Sequence, residues 1–365
     1  MVRSLPGAAP APRREMPDPK LGEREFTQRF LAQFSDAAFE PLAAQLGQIA
    51  RVAWEAYAQG RKSPRTTRAG KGFADPDYEL SIDWLEARAA IERAQRAHEE
   101  PHGPARFLLI NAATRSEHTC PGESSKSWRL LQLARAEIES RARTRVEVLD
   151  LSRLASEYGR RIFPCKTCFS TSPALCHWPC SCFPNYALGQ TQDWMNEIYP
   201  MWVAAHGILI VTPVNWFHGS SPLKLMMDRL VCADGGNPDP TRTHGKDALA
   251  AKQLELEGWS YPRHLRGRRF ACVVHGDAEG ADGARRAVCD WLSAMKLTPA
   301  GIDAALDRYI GYWQPYATSH QQLDADEAIQ QEVRNVARVL LESVELDRAG
   351  MGATAGADLP APRDK

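Results

Sequence analysis

Five of the nine cysteines lie within 18 positions, spaced C-x2-C-x7-C-x3-C-x-C at Cys165, Cys168, Cys176, Cys180 and Cys182. Four thiolates packed this densely suit a tetrahedral zinc ion or an iron–sulfur cluster. Cys165, Cys168, Cys176 and Cys180 are the preferred metal ligands. Cys182 can replace Cys180, because two cysteines with a single residue between them seldom both direct their sulfurs at one ion. Buried cysteines that fill a loop without metal are the alternative.

A second candidate site is the loop after the apolar run Phe107–Ala113. It carries hydroxyl groups and cations, and a predicted helix follows it. The loop has no G-x-G-x-x-G, and the chain has no G-x-x-x-x-G-K-[ST]. Donors of this kind at a helix N-terminus suit a dianionic monophosphate, although a Ser/Thr-rich connection could simply cap its helix. The candidate ligand-binding residues are Thr114, Arg115, Ser116, Thr119, Lys126 and Ser127.

The elements that must position these loops follow from short apolar runs after residue 106, which alternate with helical patterns. This alternation predicts a doubly wound five-stranded parallel sheet with helices on both faces. In such a sheet, ligands bind beyond the carboxyl ends of the strands. The predicted strands are Phe107–Ala113, Val146–Leu149, Gly207–Val211, Phe270–Val274 and a fifth within Pro299–Ile310.

The chain ahead of this domain predicts a helical extension. We divide the sequence into a disordered tail at 1–25, a helical extension at 26–104, the α/β domain at 105–346 and a second tail at 347–365. Within the extension, Leu42, Leu46, Ile49 and Ala53 predict a core-facing helix, and Ser81 is placed to cap another. Between these helices, the run Arg61–Lys71 holds five cations and no acid and predicts a basic loop.

Several motifs together resemble the flavodoxin-like NAD(P)H-dependent FMN reductases, with some likeness to iron–sulfur flavoproteins. They are Thr114-x-Ser116-x-x-Thr119 after the first strand, then Thr212-Pro213-Val214-Asn215-Trp216, Leu223-Lys224 and Asp228-Arg229. The resemblance covers about residues 106–345 and leaves out the helical extension. It implies a flavodoxin-like fold that binds FMN, with the phosphate in the loop after the first strand.

The resemblance also assigns two further loops to the flavin. The loop that would lie along the isoalloxazine consists of Thr212, Pro213, Val214, Asn215, Trp216 and Phe217, with the two aromatic residues available for stacking. A third flavin-contacting loop would contain His275, Gly276, Asp277 and Gly280. Simple packing of Trp216 and Phe217 at a strand end is the alternative.

The resemblance implies an enzyme in which hydride passes from a nicotinamide to FMN and then to an electron acceptor. NAD(P)H is the expected co-substrate, a [4Fe-4S] cluster is a further candidate cofactor, and a homo-oligomer is expected. The flavin itself carries the chemistry, so no catalytic side chain is predicted. The alternative is a non-enzymatic flavodoxin-type or iron–sulfur electron carrier, or a redox sensor.

Composition limits the partners and the compartment. With 45 basic and 45 acidic side chains the formal net charge is zero, so no nucleic-acid partner is predicted. No run approaches the roughly 18 apolar residues of a spanning helix, so no membrane partner is predicted. The odd number of cysteines suits a reducing compartment, and we expect a cytoplasmic protein.

Overall fold

The computed structural model describes residues 20–58, 66–182, 193–258, 263–277, 279–311, 313 and 315–352. Within this part the helices are α1 Glu23–Leu31, α2 Ala43–Ala58, α3 Ile82–Glu99, α4 Lys126–Glu139, α5 Arg153–Ser156, α6 Cys168–Thr171, α7 Met195–Ala204, α8 Ser221–Gly235, α9 Ala248–Leu256, α10 Ala281–Ala294, α11 Tyr316–Ala325 and α12 Glu327–Arg348. Short 3₁₀ turns lie at Ala32–Phe34, Ala37–Leu42, Pro173–Leu175, Pro240–Thr243 and Ile302–Ala304.

The strands form a hairpin and a parallel sheet. They are β1 Thr66–Arg68, β2 Glu79–Ser81, β3 Ala105–Asn111, β4 Thr144–Asp150, β5 Gly207–Pro213, β6 Arg269–Gly276, β7 Thr298–Pro299 and β8 Ala305–Tyr309. The sheet order is β4-β3-β5-β6, and β7 and β8 both pair with the far side of β6. This is the flavodoxin order of a doubly wound sheet, which confirms the predicted fold.

The apolar runs form strands because both faces of the sheet are covered. On β3, Leu108 and Ile110 point into one core with helices α7 and α8. Phe107 and Leu109 point into the other with α4 and α12. Side chains alternate between the faces of a strand, so a strand buried on both sides is apolar at every position. Five strand positions were predicted, and the weakest of them holds the short β7 and the longer β8.

The helical extension is present, with differences from the predicted pattern. Helix α3 is capped as expected, since the Ser81 hydroxyl accepts a hydrogen bond from the Trp84 amide. On α2, Ala53 is buried as predicted, together with Ala50 and Ala56. Leu42 and Ile49 are 45% and 52% exposed, so the prediction that these two residues face a core is wrong.

Two boundaries also differ from the sequence division. Helix α1 begins at Glu23 and α12 ends at Arg348, so each helix enters a segment assigned to a tail. In the run predicted as a basic loop, Thr66–Arg68 pairs with Glu79–Ser81 as a hairpin. Residues 1–19, 59–65 and 353–365 lie outside the described part. None of the described helices is long and apolar enough to cross a membrane.

A buried ion pair joins α8 to the start of α7. The Arg229 guanidinium holds the Asp193 carboxylate with both terminal nitrogens, and both side chains are 1% exposed. Arg229 Nη1 also donates to the Phe163 carbonyl at 3.0 Å. Burial raises the pKa of Asp193 to about 6 against the opposing effect of Arg229, while the anionic neighbours of Arg229 raise its pKa despite burial. Each charge therefore depends on the other to remain in the interior.

We predict that Asp193→Asn lowers the free energy of unfolding by about 3–5 kcal/mol, because Arg229 would be left buried without its counter-ion. Lys224→Met is the control. It breaks an exposed i,i+4 pair with Asp228 on the same helix, and such pairs contribute about 0–1 kcal/mol. Urea denaturation of both variants measures the difference, and equal losses would contradict the assignment.

Candidate functional site

A cleft of about 280 Å³ opens at the carboxyl ends of β3, β5 and β6. This is the edge at which ligands bind in a doubly wound sheet. Three loops that the sequence predicted separately meet there. The lining residues are Ala113, Thr114, Arg115, Ser125, Lys126, Ser127, Pro213, Val214, Asn215, His275, Gly276, Asp277 and Ile310.

The N-terminus of α4 forms one wall of the cleft. Ser125 caps the helix by accepting a hydrogen bond from the Trp128 amide at 3.1 Å. Lys126 follows and donates to the Ile310 carbonyl at 3.2 Å. Burial lowers the pKa of Lys126, and the Asp277 carboxylate acts in the opposite direction. A helix N-terminus beside a lysine and an arginine, Arg115, makes this wall suited to an anion.

A buried hydroxyl–imidazole pair lies behind this wall. The Ser127 hydroxyl is 2.7 Å from His275 Nε2, and both side chains are buried. Burial, together with the nearby Lys126, lowers the pKa of His275 to about 3. His275 is therefore neutral at physiological pH and fixes the position of Ser127 without adding charge.

Two residues predicted for the anion-binding loop do not line the cleft. The Thr119 hydroxyl donates to the Ser116 carbonyl at 2.9 Å and accepts from the Ser116 amide at 3.0 Å. The Ser116 hydroxyl accepts from the His118 amide. Ser116 and Thr119 thus hold the turn together, while Thr114, Arg115, Lys126 and Ser127 face the cleft.

The loop 212–217, which we call the ring loop, ends in a tight turn with unusual backbone geometry. Trp216 and Phe217 have φ values of 49° and 68°, and two hydrogen bonds join Asn215 and His218 across them. Positive φ at both central positions is the type I′ hairpin geometry, which normally takes Asn and Gly. Trp216 is 92% exposed and Phe217 60% exposed. The turn therefore exposes two aromatic side chains directly after Asn215, which lines the cleft, at a cost in backbone strain.

Gly280 makes room for this turn. It has φ of +101°, and a Cβ added to it would lie 2.7 Å from the Phe217 Cα. Gly280 was predicted to contact the ligand, but in the structure it contacts Phe217 and does not line the cleft. Thr212 is also outside the lining, since its buried hydroxyl donates to the Pro213 carbonyl at 3.0 Å.

The five clustered cysteines converge only in part. Cys168 Sγ and Cys182 Sγ are 3.7 Å apart. Among the described residues, no three or more His, Cys, Asp or Glu side chains are arranged to hold a metal ion. The predicted metal site at Cys165, Cys168, Cys176 and Cys180, or with Cys182, therefore has no support in the geometry.

The cysteines surround a cation that the sequence did not single out. Lys246 Nζ donates to the Leu175 carbonyl at 2.7 Å. Burial opposes its charge, but the thiols of Cys182, Cys168, Cys180 and Cys176 outweigh burial and raise the pKa of Lys246. Lys246 precedes α9 in a stretch for which no element was predicted, because a lone lysine beside a glycine has no distinctive pattern.

A larger groove of about 590 Å³ lies between β8 and α12. Its charged side chains pair with one another, as in Arg285–Asp307 and Arg308–Glu332. It lies on the outer side of β8 rather than between the loops that follow the strands. The smaller cleft is therefore the candidate functional site.

The family model for NADPH-dependent FMN reductase matches residues 105–309. No curated protein is similar enough to the chain to count as a match. Among solved structures, RosB with a bound 8-demethyl-8-formylriboflavin-5'-phosphate intermediate is 12% identical, with a TM-score of 0.48, and the alignment covers 68% of this chain and 81% of RosB. An azoreductase from Bacillus anthracis is 13% identical, with a TM-score of 0.36 and coverage of 64% and 98%. Similarities this distant assign no ligand to the present chain.

We predict that His275 makes the protein sensitive to acid. In the unfolded chain its pKa is about 6.5, so below that pH the unfolded state binds a proton that the folded state refuses. The contribution of neutral His275 to the free energy of unfolding is complete above pH 6.5 and is lost as the pH falls toward 3. Between pH 7.5 and 5 the loss is about 2 kcal/mol. His275→Gln should lose about 2 kcal/mol less over this range in urea denaturation of flavin-free protein, and an identical loss would contradict the prediction.

We predict that Gly280→Ala lowers the free energy of unfolding by about 1–3 kcal/mol, because the new methyl group meets the Phe217 backbone at an unfavourable φ. Gly283→Ala, three residues on in α10, is the matched control. A Cβ there meets no atom within 4 Å, and alanine favours a helix interior. Thermal unfolding of the two variants tests this, and equal melting temperatures would show that Gly280 is not required.

Proposed function

Because the chain belongs to the NADPH-dependent FMN reductase family, we propose that the cleft at the strand ends binds FMN and that NAD(P)H reduces it there. One observation carries this proposal. Three loops predicted separately from the sequence line one cleft at the edge where a doubly wound sheet binds its ligands.

The donor set on the α4 side of the cleft fits the phosphate of FMN. Lys126 and Arg115 supply positive charge, Thr114 and Ser127 supply hydroxyl groups, and α4 directs its N-terminus at the same space. Phosphates bind at helix N-termini because free backbone amides and the helix dipole both favour negative charge. His275 would hold the Ser127 hydroxyl in place without changing the charge of the site.

The ring loop fits the flat, aromatic end of the cofactor. Pro213, Val214 and Asn215 line the cleft, and Trp216 and Phe217 follow them as exposed aromatic side chains. The enclosed volume of about 280 Å³ is at the low end for a small-molecule site. The ring would therefore extend past the enclosed part and be covered by the exposed aromatic side chains.

FMN, when bound, supplies the chemistry by accepting hydride and passing electrons onward. The protein's part is to bind and orient the cofactor. His275, which lines the cleft, is neutral and its Nε2 is paired with the Ser127 hydroxyl, so we assign no proton transfer to it. The acceptor is a second substrate that takes the place of the nicotinamide.

Two further parts of the proposal concern compartment and assembly. The described cysteines Cys120, Cys165, Cys168, Cys176, Cys180, Cys182, Cys272 and Cys289 are free thiols. Free thiols in this number support a reducing compartment, which we take to be the cytoplasm. We also expect a homo-oligomer, which size-exclusion chromatography with light scattering would test.

We predict that the purified protein shows the visible absorption bands of one FMN per chain, bleached by NAD(P)H under anaerobic conditions. Lys126→Met should raise the dissociation constant for FMN about 10- to 100-fold, because a hydrogen bond to a charged group contributes about 1.5–3 kcal/mol. Arg129→Met is the matched control, since it removes one cation from the same helix, where Arg129 pairs with Asp324 outside the cleft. Equal effects of the two changes would refute the phosphate site, and failure to bind FMN would refute the function.

A further inference from the structure

The cysteine segment, Cys165–Cys182, is built into the fold by contacts from three sides. Trp84 Nε1 of α3 donates to the Pro179 carbonyl at 2.8 Å. The Trp178 amide donates to the Asn237 carbonyl at 2.9 Å, and the Trp178 ring stacks on His264 with centroids 4.0 Å apart. A surface loop of incidental cysteines does not need such support, so the positions of these thiols are well determined.

Both ring nitrogens of His177 serve this support. Nδ1 is 2.5 Å from the Ser181 hydroxyl, and Nε2 is 3.1 Å from the Thr243 hydroxyl. His177 is 1% exposed. It is therefore committed to holding the segment, and it does not add a ligand to the thiols beside it.

Within this segment Cys168 and Cys182 form a pair of unequal accessibility. Their sulfurs are 3.7 Å apart, so rotation of the side chains can bring them to bonding distance. Cys182 is 5% exposed, whereas Cys168 is partly exposed in the short helix α6. An accessible thiol beside a buried one is the arrangement of an attacking and a resolving cysteine.

The charge around the pair favours thiolate chemistry. Lys246 is anchored to the Leu175 carbonyl, and its charged neighbours include the thiols of Cys168 and Cys182. A cation beside a thiol stabilises the thiolate, which is the form that attacks a disulfide. Because no third metal-binding side chain converges with the pair within the described part of the chain, the geometry suits a bond between the two sulfurs better than a metal.

We propose that Cys168 and Cys182 form a redox-active dithiol that exchanges electrons with small-molecule disulfides. This activity is separate from the flavin cleft. Cys168 attacks one sulfur of the small disulfide, whose S–S bond breaks and releases one small thiolate. Cys182 then attacks the Cys168 sulfur, forms the internal disulfide and releases the second. The two cysteine protons end on the two small thiols, so the protein loses two electrons and the small disulfide gains them.

A second thiol pair in the same chain provides an internal comparison. Cys272 and Cys289 lie 3.5 Å apart between β6 and α10. Cys272 is fully buried in the sheet, and its pKa is raised well above the usual value by the hydrogen bond with Cys289 and by burial. The cation beside these thiols is Arg285, which lowers the pKa of both, but its guanidinium is paired with the Asp307 carboxylate, which acts in the opposite direction on Cys272. The Cys272–Cys289 pair should therefore stay reduced under conditions that oxidise Cys168 and Cys182.

The test equilibrates the full-length protein, with and without added FMN, anaerobically with glutathione mixtures of increasing oxidised fraction. Acid quenching and alkylation then precede digestion with chymotrypsin, which cleaves after Phe169 and puts Cys168 and Cys182 on separate peptides. Mass spectrometry should find a cross-link between these peptides that rises to near completion, with the Cys272 and Cys289 thiols still alkylated. Iron and zinc measured on the same sample should each be well below one per chain.

Variants separate the pair from its neighbours. Cys168→Ser and Cys182→Ser should each abolish the cross-link, whereas Cys289→Ser should leave its dependence on glutathione unchanged. The proposal is overturned if the unmodified protein forms no such cross-link at full oxidation, if Cys168 stops as a mixed disulfide with glutathione, or if stoichiometric metal is present. None of these outcomes depends on flavin binding, so failure here is distinguishable from failure of the FMN site.

Discussion

A single guanidinium, that of Arg229, connects the two regions of interest in this protein. It binds the Phe163 carbonyl just before the cysteine segment and the Asp193 carboxylate after it. Its own helix, α8, follows directly on the ring loop. An ion pair this deeply buried is costly to form and more costly to break, because either partner alone would be an uncompensated charge. Phe163 and Asp193, which lie on either side of the cysteine segment, are thereby both fixed to α8, the helix that follows the ring loop.

The other elements that support the cysteine segment come from distant parts of the chain. The Ala74 amide of the extension donates to Asp239, and the Asp75 amide donates to Thr241, so the hairpin region and the stretch before α9 are joined. The same stretch supplies Lys246 to the cysteines. The helical extension is thus part of the structure around the thiols rather than an independent addition. Its α3 also covers one face of the sheet, where Ile91 is fully buried.

The sequence predicted what depends on local pattern. The unbroken apolar run at Leu108–Ile110 indicated a strand buried on both faces, and Ser81 indicated a helix start, because each signal is carried by neighbouring residues. Lys246 could not be found in this way, since its importance comes from cysteines some 65 to 80 positions earlier in the chain. Ser116 and Thr119 carried the right chemistry for an anion site, but their hydroxyls are used within the turn itself. Composition shows which donors a loop has, while the backbone decides which of them remain to face a ligand.

The turn at Trp216 and Phe217, next to the cleft, has a strained backbone that lowers the stability of the fold. Left-handed backbone costs a non-glycine residue roughly 1–2 kcal/mol, and here two bulky residues adopt it in succession. The two hydrogen bonds between Asn215 and His218 each contribute about 0.5–1.5 kcal/mol of stabilisation. The exposed side chains of Trp216 and Phe217 do not offset this strain, because aromatic side chains stabilise a fold when they are buried. The contact of Phe217 with Gly280 and the rest of the fold must offset the remaining strain, and a flat aromatic ligand laid against these two side chains would add to that stabilisation.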